Sequence, residues 1–259
     1  MASRIEKTEG IVLRFYDYGD TSRIVVLLTR DFGKLKVMAK GAKAPRSPFA
    51  GRLELFQVLK IQFYHYPDGD LHTLKETEVI QMFPAFHEKL IAFAAANYLS
   101  ELAQVAVHGE EDEGTLYHPL IIALGAVGGV GDWELCLRWF ETKVLQELGA
   151  MPRLRHCAIC NRELTESPRL SPAHAGLVCS SCVPGDSRSL PISANVTGVI
   201  YFLSQVPIQK IETVKLTQLQ RIELKKVLRN FLDFTLERKL KSSEFLEKLM
   251  ATSGTALSV

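Results

Sequence analysis

Four of the five cysteines fall into two pairs of one pattern, Cys157-Ala-Ile-Cys160 and Cys179-Ser-Ser-Cys182, with 18 residues between the pairs. Two residues between cysteines let both sulfurs of a tight turn face one ion, and two such knuckles make a tetrahedral four-thiolate site. The spacing points to zinc; the competing readings are metal-free thiols, a redox pair or an iron centre. A catalytic zinc keeps one coordination position open, whereas Cys157, Cys160, Cys179 and Cys182 close the shell, so the expected ion is a single structural Zn2+. The connecting residues 161–178, with Pro168, Pro172 and Gly176, suit a hairpin, and His156 and His174 are spare imidazoles beside it. So short a stretch cannot build a core of its own, and metal binding supplies much of its local folding free energy. The fifth cysteine, Cys136, lies between Leu135 and Leu137 and reads as a buried apolar residue.

The second group of chemical interest is cationic. Along Lys34-Leu-Lys-Val-Met-Ala-Lys40, strand alternation sends Leu35, Val37 and Ala39 to one face and Lys34, Lys36, Met38 and Lys40 to the other. The chain continues through Lys43, Arg46 and Arg52, so the window 30–52, with Arg30, holds seven basic residues against the single acid Asp31. A row of cations neutralises phosphates and releases their counterions, and a loop with Gly41, Pro45 and Pro48 can follow a bent backbone. The competing reading is a solvated strand face kept soluble by lysines. Arg14, Tyr16 and Tyr18 could add a phosphate contact and base stacking, although aromatics in barrels more often belong to the core. On a late helix Arg221, Lys225 and Arg229 recur every four residues; the wet side of an amphipathic helix explains them better than a DNA track does.

Enzyme signatures are missing. The only Gly-Lys pair, Gly33-Lys34, lacks the glycine five residues earlier that a phosphate loop needs, and no Gly-x-Ser-x-Gly or His-Glu-x-x-His sequence occurs. The acidic run 110–113 reads as a solvated loop rather than a metal cluster.

These groups must be positioned by a chain of 259 residues, 47% hydrophobic and 23% charged, an ordinary globular composition. Residues 1–10 are charged and lack the apolar core of a secretory signal, and residues 119–131 are too short an apolar run to span a bilayer. A soluble, cytoplasmic protein is expected, where thiols stay reduced. The net charge of +2 hides an asymmetry: residues 1–83 carry +3, residues 84–150 carry −7 and residues 151–259 carry +6. Local fields of this kind indicate an anionic partner better than the total does.

From residue 8 to 80 the chain reads as five strands, 8–16, 22–29, 34–40, 53–66 and 71–80, separated by turn residues at intervals suited to a small barrel. Five strands in so short a stretch suit an oligonucleotide-binding (OB) barrel, whose second and third strands and loops form the usual oligonucleotide face. That geometry tilts the basic row toward DNA. After Pro84 the apolar period changes, with Leu90, Phe93, Ala94, Tyr98, Leu102 and Val105 on one helical stripe. Further helices are expected at 115–126, 133–148, 195–203, 218–239 and 244–250. The helix from Gln218 starts with a capping box, Thr217 and Gln220, and 251–259 reads as a disordered tail.

Over nearly its whole length the chain resembles the RecO family of bacterial recombinational DNA-repair proteins. The stretches that carry the resemblance are Gly10-Ile-Val-Leu-Arg14, Tyr18-Gly-Asp20, Thr29-Arg-Asp-Phe-Gly-Lys-Leu35, Ala39-Lys-Gly-Ala42, Leu53-Glu-Leu-Phe56 and Lys239-Leu-Lys-Ser-Ser-Glu-Phe-Leu246, with the four cysteines where many members carry a zinc module. The resemblance implies an OB domain over 1–82, a helical domain over 83–155 and 184–250, and a zinc module inserted at 156–183, an α+β chain without enzymatic turnover. It implies a nucleoid-associated mediator that binds single- and double-stranded DNA, anneals complementary strands, associates with RecR and recognises the C-terminal tail of single-strand DNA-binding protein so that RecA loads. By position Lys40, Lys43, Arg46 and Arg52 fall in the basic strand-to-loop region that members turn toward DNA, while Ala44 stands where the family often has another basic residue. The residues expected at DNA are therefore Arg14, Lys34, Lys36, Lys40, Lys43, Arg46 and Arg52. Two alternatives remain open, a zinc-dependent nucleic-acid-processing enzyme and a protein-binding scaffold.

Overall fold

The computed structural model describes residues 3–109, 114–129, 131–164 and 168–255. The chain divides into two compact units, Met1–Gly129 with Phe245–Val259, and Val130–Glu244.

In the first unit β1 (Arg4–Tyr18), β2 (Ser22–Thr29), β3 (Lys34–Ala39), β4 (Val58–His65) and β5 (His72–Gln81) close into a barrel in the order β1-β2-β3-β5-β4, a five-stranded barrel of the OB type. Closure rests on the length of β1. Its residues Arg4 to Ile11 pair with β4 and Gly10 to Tyr18 pair with β2, so the strand starts at Arg4 rather than at residue 8. The seam opposite is a short parallel contact, Val37 with His72 and Met38 with Thr73.

Inward side chains of all five strands, among them Val12, Val25, Leu27, Leu35, Val37, Leu59, Ile61, Phe63 and Leu74, form the core. Phe49 and Leu53, from the connection between β3 and β4, join them, and burial of two such side chains is worth about 2 kcal/mol each. That connection is also why β4 begins at Val58 and not at residue 53. Leu53 turns inward, Phe56 takes a positive φ of 67°, and backbone bonds Phe56 N–H to Val12 O (2.9 Å) and Val12 N–H to Gln57 O (3.0 Å) tie the segment to β1. The Phe56 ring meets Phe86 and Phe93 edge to face, at 5.2 and 5.7 Å.

Three helices belong to the same unit: α1 (Ala85–Glu88), α2 (Leu90–Ala106) and α3 (Tyr117–Gly128). The compact unit thus includes helices beyond the barrel, because α2 and α3 both pack on β1. Gly114, with φ of +65°, lets the chain entering α3 pass against the turn after β2; a Cβ there would stand 2.2 Å from Arg30 O.

The second unit begins with α4 (Trp133–Glu147), N-capped by Asp132, whose carboxylate accepts from Leu135 N–H at 3.0 Å. A three-stranded sheet follows, β6 (Arg169–Ser171), β7 (Gly176–Val178) and β8 (Leu190–Pro191), in the order β7-β6-β8. Next come α5 (Ala194–Gln205), a 3₁₀ turn (Ile208–Thr213) and α6 (Gln218–Thr235). The capping box of α6 is reciprocal, with Gln220 N–H donating to Thr217 Oγ1 (3.3 Å) and Thr217 N–H donating to Gln220 Oε1 (2.9 Å). This helix ends at Thr235, short of residue 239, and Glu237 just beyond it has a φ of 53°. The last helix, α7 (Lys241–Thr255), whose residues from Phe245 on belong to the first unit, runs past residue 250 into the stretch read as a tail; residues 256–259 and the acidic run 110–113 lie outside the described residues. Among the described residues no helix is long and apolar enough to cross a membrane.

Candidate nucleic-acid interface and metal centre

Alternation along β3 is as its sequence dictates: Leu35, Val37 and Ala39 are fully buried, Lys36 is exposed, and Lys34 and Met38 are half-buried. The same rule fails for β1. Strict alternation would put Val12, Arg14, Tyr16 and Tyr18 on one face, yet Val12 is core while the other three are exposed. A β-bulge between Val12 and Arg14 inserts one residue into the pairing with β2 and reverses the facing of everything after it. In consequence Arg14, Val26 and Lys36 form one row across β1, β2 and β3, and Tyr16, Ile24 and Met38 form the next.

Tyr16 and Tyr18, which sequence reasoning leans toward placing in the core, are 42% and 57% exposed. The Arg14 guanidinium lies 4.5 Å from the Tyr16 ring centroid, a cation–π contact that holds ring and charge together. The signal for this was the bulge, and an apolar triplet Ile11, Val12, Leu13 ahead of alternating residues does not reveal which one is extra.

The seven cations expected at DNA do not share one fate. Lys36, Lys40 and Arg46 are exposed and, among the described residues, enter no ion pair. Lys43 is exposed but meets Asp17 at 3.2 Å, and Arg23 reaches the same carboxylate at 3.4 Å. The Lys43 hydrogen bond, more than Arg23, holds Asp17 below the usual carboxylate range. Arg52 is exposed and its Nη1 donates to Thr77 O on β5 at 3.4 Å. Lys34 is different: its ammonium donates to Gln104 O (2.9 Å) and to Val107 O, carbonyls at the C-terminal end of α2. A cation there satisfies orphan carbonyls and the negative end of the helix dipole. Lys34 is thus a tie within the unit, and Arg14, which the bulge turns outward, takes its place in the cationic row. Arg30 is likewise held, by Glu9 at 3.5 Å and Asp31 at 3.3 Å.

The late basic helix is used internally. Arg221 grips Asp132 with both guanidinium nitrogens, Nη1 at 2.9 Å from Oδ1, and Arg229 pairs with Asp233 at 2.9 Å and donates to Ser243 Oγ. A periodic set of cations on a helix face here joins α6 to the start of α4 and to the first turn of α7 rather than presenting an open track.

The four cysteines converge. Cys157, Cys160, Cys179 and Cys182 place their sulfurs within 4.8 Å of one another, and none is in a disulfide. A tetrahedral shell with metal–sulfur bonds of about 2.3 Å has edges of about 3.8 Å, and the Sγ atoms of Cys160 and Cys179 are 3.8 Å apart. The first knuckle is closed by Asn161 N–H to Cys157 O (2.9 Å), with Asn161 at a φ of 57°. It is bound to the hairpin by Ala158 N–H to Leu177 O (2.7 Å). Gly176 allows this fit, because a Cβ there would lie 2.8 Å from Arg153 O and 2.9 Å from Arg153 Cβ.

Donors are aimed at the sulfurs: Cys179 N–H lies 3.5 Å from Cys157 Sγ, and Arg162 Nε lies 3.4 Å from Cys160 Sγ. Burial pushes the Cys157 thiol up, but the backbone N–H groups of Cys160, Cys179 and Ile159 outweigh it and bring it to about 6. Cys182, hydrogen-bonded to Cys179 and then opposed by burial and the other thiols, is pushed up to about 12. Four thiols this close ionise together only around a cation, so the cluster fits a divalent metal. The cluster is the only group of metal-ligand residues of this kind among the described residues. His156 and His174 are not members of it. Cys136 is 1% exposed, and burial first, then the charge of Asp132, pushes its thiol up to about 12, as befits an inert core residue.

Comparison with known proteins agrees with the geometry. Residues 1–83 match the family model for the Recombination protein O N terminal, and residues 87–244 match that for the Recombination protein O C terminal. A DNA repair protein RecO of Anaeromyxobacter dehalogenans (strain 2CP-C) is 33% identical over 244 residues, which cover 94% of this chain and 96% of that protein. One of Shouchella clausii (strain KSM-K16) is 30% identical over 98% of this chain and 99% of its own length. Another, of Exiguobacterium sibiricum, is 33% identical over 95% of this chain and 98% of its own.

Proposed function

Because the chain belongs to the RecO family, whose members are named as DNA repair proteins, we propose that it is a non-enzymatic recombination mediator that binds single- and double-stranded DNA through its barrel and anneals complementary strands. The observation that carries this reading is the outer face of β1 to β3, where Arg14 and Lys36 stand exposed in one row and the exposed ring of Tyr16 in the next, with Lys40 exposed just past β3. Cations track a phosphate backbone and an aromatic face accepts any base, so binding is salt-sensitive and indifferent to sequence. Lys43, Arg46 and Arg52 extend the same charge along the connection to β4.

Its partners in this reading are RecR, the C-terminal tail of single-strand DNA-binding protein and, through them, RecA, all in the cytoplasm at the nucleoid; the likeness to the family supports them. The cysteine cluster holds one structural zinc, which ties the knuckle at Cys157 to the hairpin and supplies folding free energy rather than a reactive water. A zinc-dependent enzyme would need a ligand set with an open position, and four converging thiolates argue against it.

The test is binding and annealing of oligonucleotides by the full chain. The variant Lys36→Glu, Lys40→Glu, Lys43→Glu, Arg46→Glu should stay folded and lose both activities. A folded variant that binds oligo(dT) as tightly as wild type at low salt would remove this surface. Annealing in the presence and absence of single-strand DNA-binding protein then separates a mediator from a protein-binding scaffold, which would bind partners and anneal nothing.

A further inference from the structure

The net +6 charge of residues 151–259 is not used by the barrel, and Arg221 and Arg229 are consumed in internal pairs. Part of what remains gathers on one cavity of the second unit, between the first cysteine knuckle and α5. It has a volume of about 430 Å3, in the range of small-ligand sites. Among the described residues its walls carry two guanidinium groups, Arg153 and Arg155, and the imidazole of His156, all exposed, and no Asp or Glu.

Resting on the reading of the chain as a DNA-binding protein, we propose that this cavity is a second, separate DNA contact, which takes one unstacked nucleotide of a single strand. Tyr201 of α5 is 45% exposed at the cavity, and the Arg155 guanidinium stands 5.6 Å from its ring centroid with Nη2 3.4 Å from the phenol oxygen. Aromatic rings and guanidinium planes are the two surfaces on which proteins stack splayed bases. Met151, Pro152 and Leu154 give the cavity an apolar wall, and the amide of Asn161 offers both a donor and an acceptor to a base edge. Arg153, and Arg155 from the edge of the stacking pair, supply cations for the flanking phosphates.

The cavity is built rather than incidental. The backbone of Arg153 is locked to the hairpin through Arg153 N–H to Ala175 O (3.0 Å) and Leu177 N–H to Arg153 O (2.9 Å). The positive φ that closes the knuckle belongs to Asn161, a lining residue. The cysteine module therefore does more than brace the unit: it fixes the walls of a ligand site. A peptide carboxylate would use the arginines but not the stacking pair, so a nucleotide fits the whole set better.

The experiment uses the full zinc-bound chain and a short oligo(dT) carrying one iodouracil. Photocrosslinking followed by mass spectrometry should place an adduct on Tyr201. Tyr201→Ala should weaken binding about tenfold, while Tyr201→Phe, which keeps the ring, stays near wild type. Arg155→Gln should lower the salt dependence by about 0.7 in the log–log slope. Should Tyr201→Ala fail to fold, Arg155→Gln and the adduct map decide. Unchanged affinity and slope with adducts confined to residues 14–52 would overturn this site and leave the barrel reading intact. Tyr201-dependent binding that survives charge reversal of the barrel would sustain this site and remove the barrel face, and a wild type that binds no oligo(dT) would sink both.

Discussion

Lys34 and Lys36 are two residues apart on one face of β3, yet the structure assigns them opposite duties, which makes their separate removal a sharp test. On the proposed DNA face of the barrel six exposed cations remain for phosphate, Arg14, Lys36, Lys40, Lys43, Arg46 and Arg52. At about 0.7 per contact on a single strand they contribute a slope of about −4 to log K against log salt, a loss of about 300-fold between about 50 and 200 mM. The variant Lys36→Gln, Lys40→Gln, Arg46→Gln should reduce that slope by about 2, so the same change of salt costs it only about 20-fold. Lys34→Gln should leave the slope where it is. It should instead remove a charge that satisfies two carbonyls at the end of α2, worth about 2 kcal/mol, and lower the melting temperature by about 5 °C. Fluorescence anisotropy with labelled oligo(dT) over a salt series and a thermal melt measure both quantities. A Lys34→Gln protein with a shallower slope and an unchanged melt would refute the assignment.

The exposed ring of Tyr16 should matter independently of charge: Tyr16→Ala is expected to weaken oligo(dT) binding about tenfold with no change of salt slope, read in the same titration. Asp132 is raised by burial but lowered further by Arg221 and by Leu135 N–H, so its folded value lies below its ordinary one. Its contribution is therefore full above the ordinary carboxylate range and is lost as pH falls through the depressed folded value. Asp132→Asn should be less stable than wild type at neutral pH, and the gap in urea midpoint should narrow as pH falls below the ordinary carboxylate range. In the cysteine module, Gly176→Ala forces a Cβ against the backbone of Arg153 and should cost about 1–3 kcal/mol, seen as faster loss of zinc to a chromophoric chelator. Complete chelation should expose residues 151–191 to protease while the barrel keeps its melt.

How far the sequence reveals this molecule depends on the range of the forces involved. The cysteine spacing, the capping box at Thr217 and the five strands are local patterns, and all three appear in the structure. Turn residues delimit strands well, so Ser22–Thr29 is unchanged, but they say nothing of how far β1 extends, because that length is set by pairing with two strands at once. The start of β4 at Val58 was hidden for a related reason: Leu53 and Phe56 look like strand residues and are consumed instead by packing at long range. Charge is the least legible property. Lys34 and Lys36 are indistinguishable in the sequence, and only the approach of α2 separates a helix tie from an open cation. The exposure of Tyr16 and Tyr18 depends on a single extra residue in a register, which no composition reports.

The connection between β3 and β4 joins two properties usually kept apart. Lys43, Arg46 and Arg52 ride on the same segment that sends Phe49 and Leu53 into the barrel core, so these cations are held in place before any ligand arrives. Less ordering remains to be done on binding, and the loop proposed to face phosphate cannot drift in sequence as freely as a surface loop ordinarily does. It also makes the barrel a reporter on its own ligand. A bound strand should stiffen the core through these anchors, and Phe49→Ala, which removes no charge and touches no nucleotide, should loosen the grip on DNA from the inside.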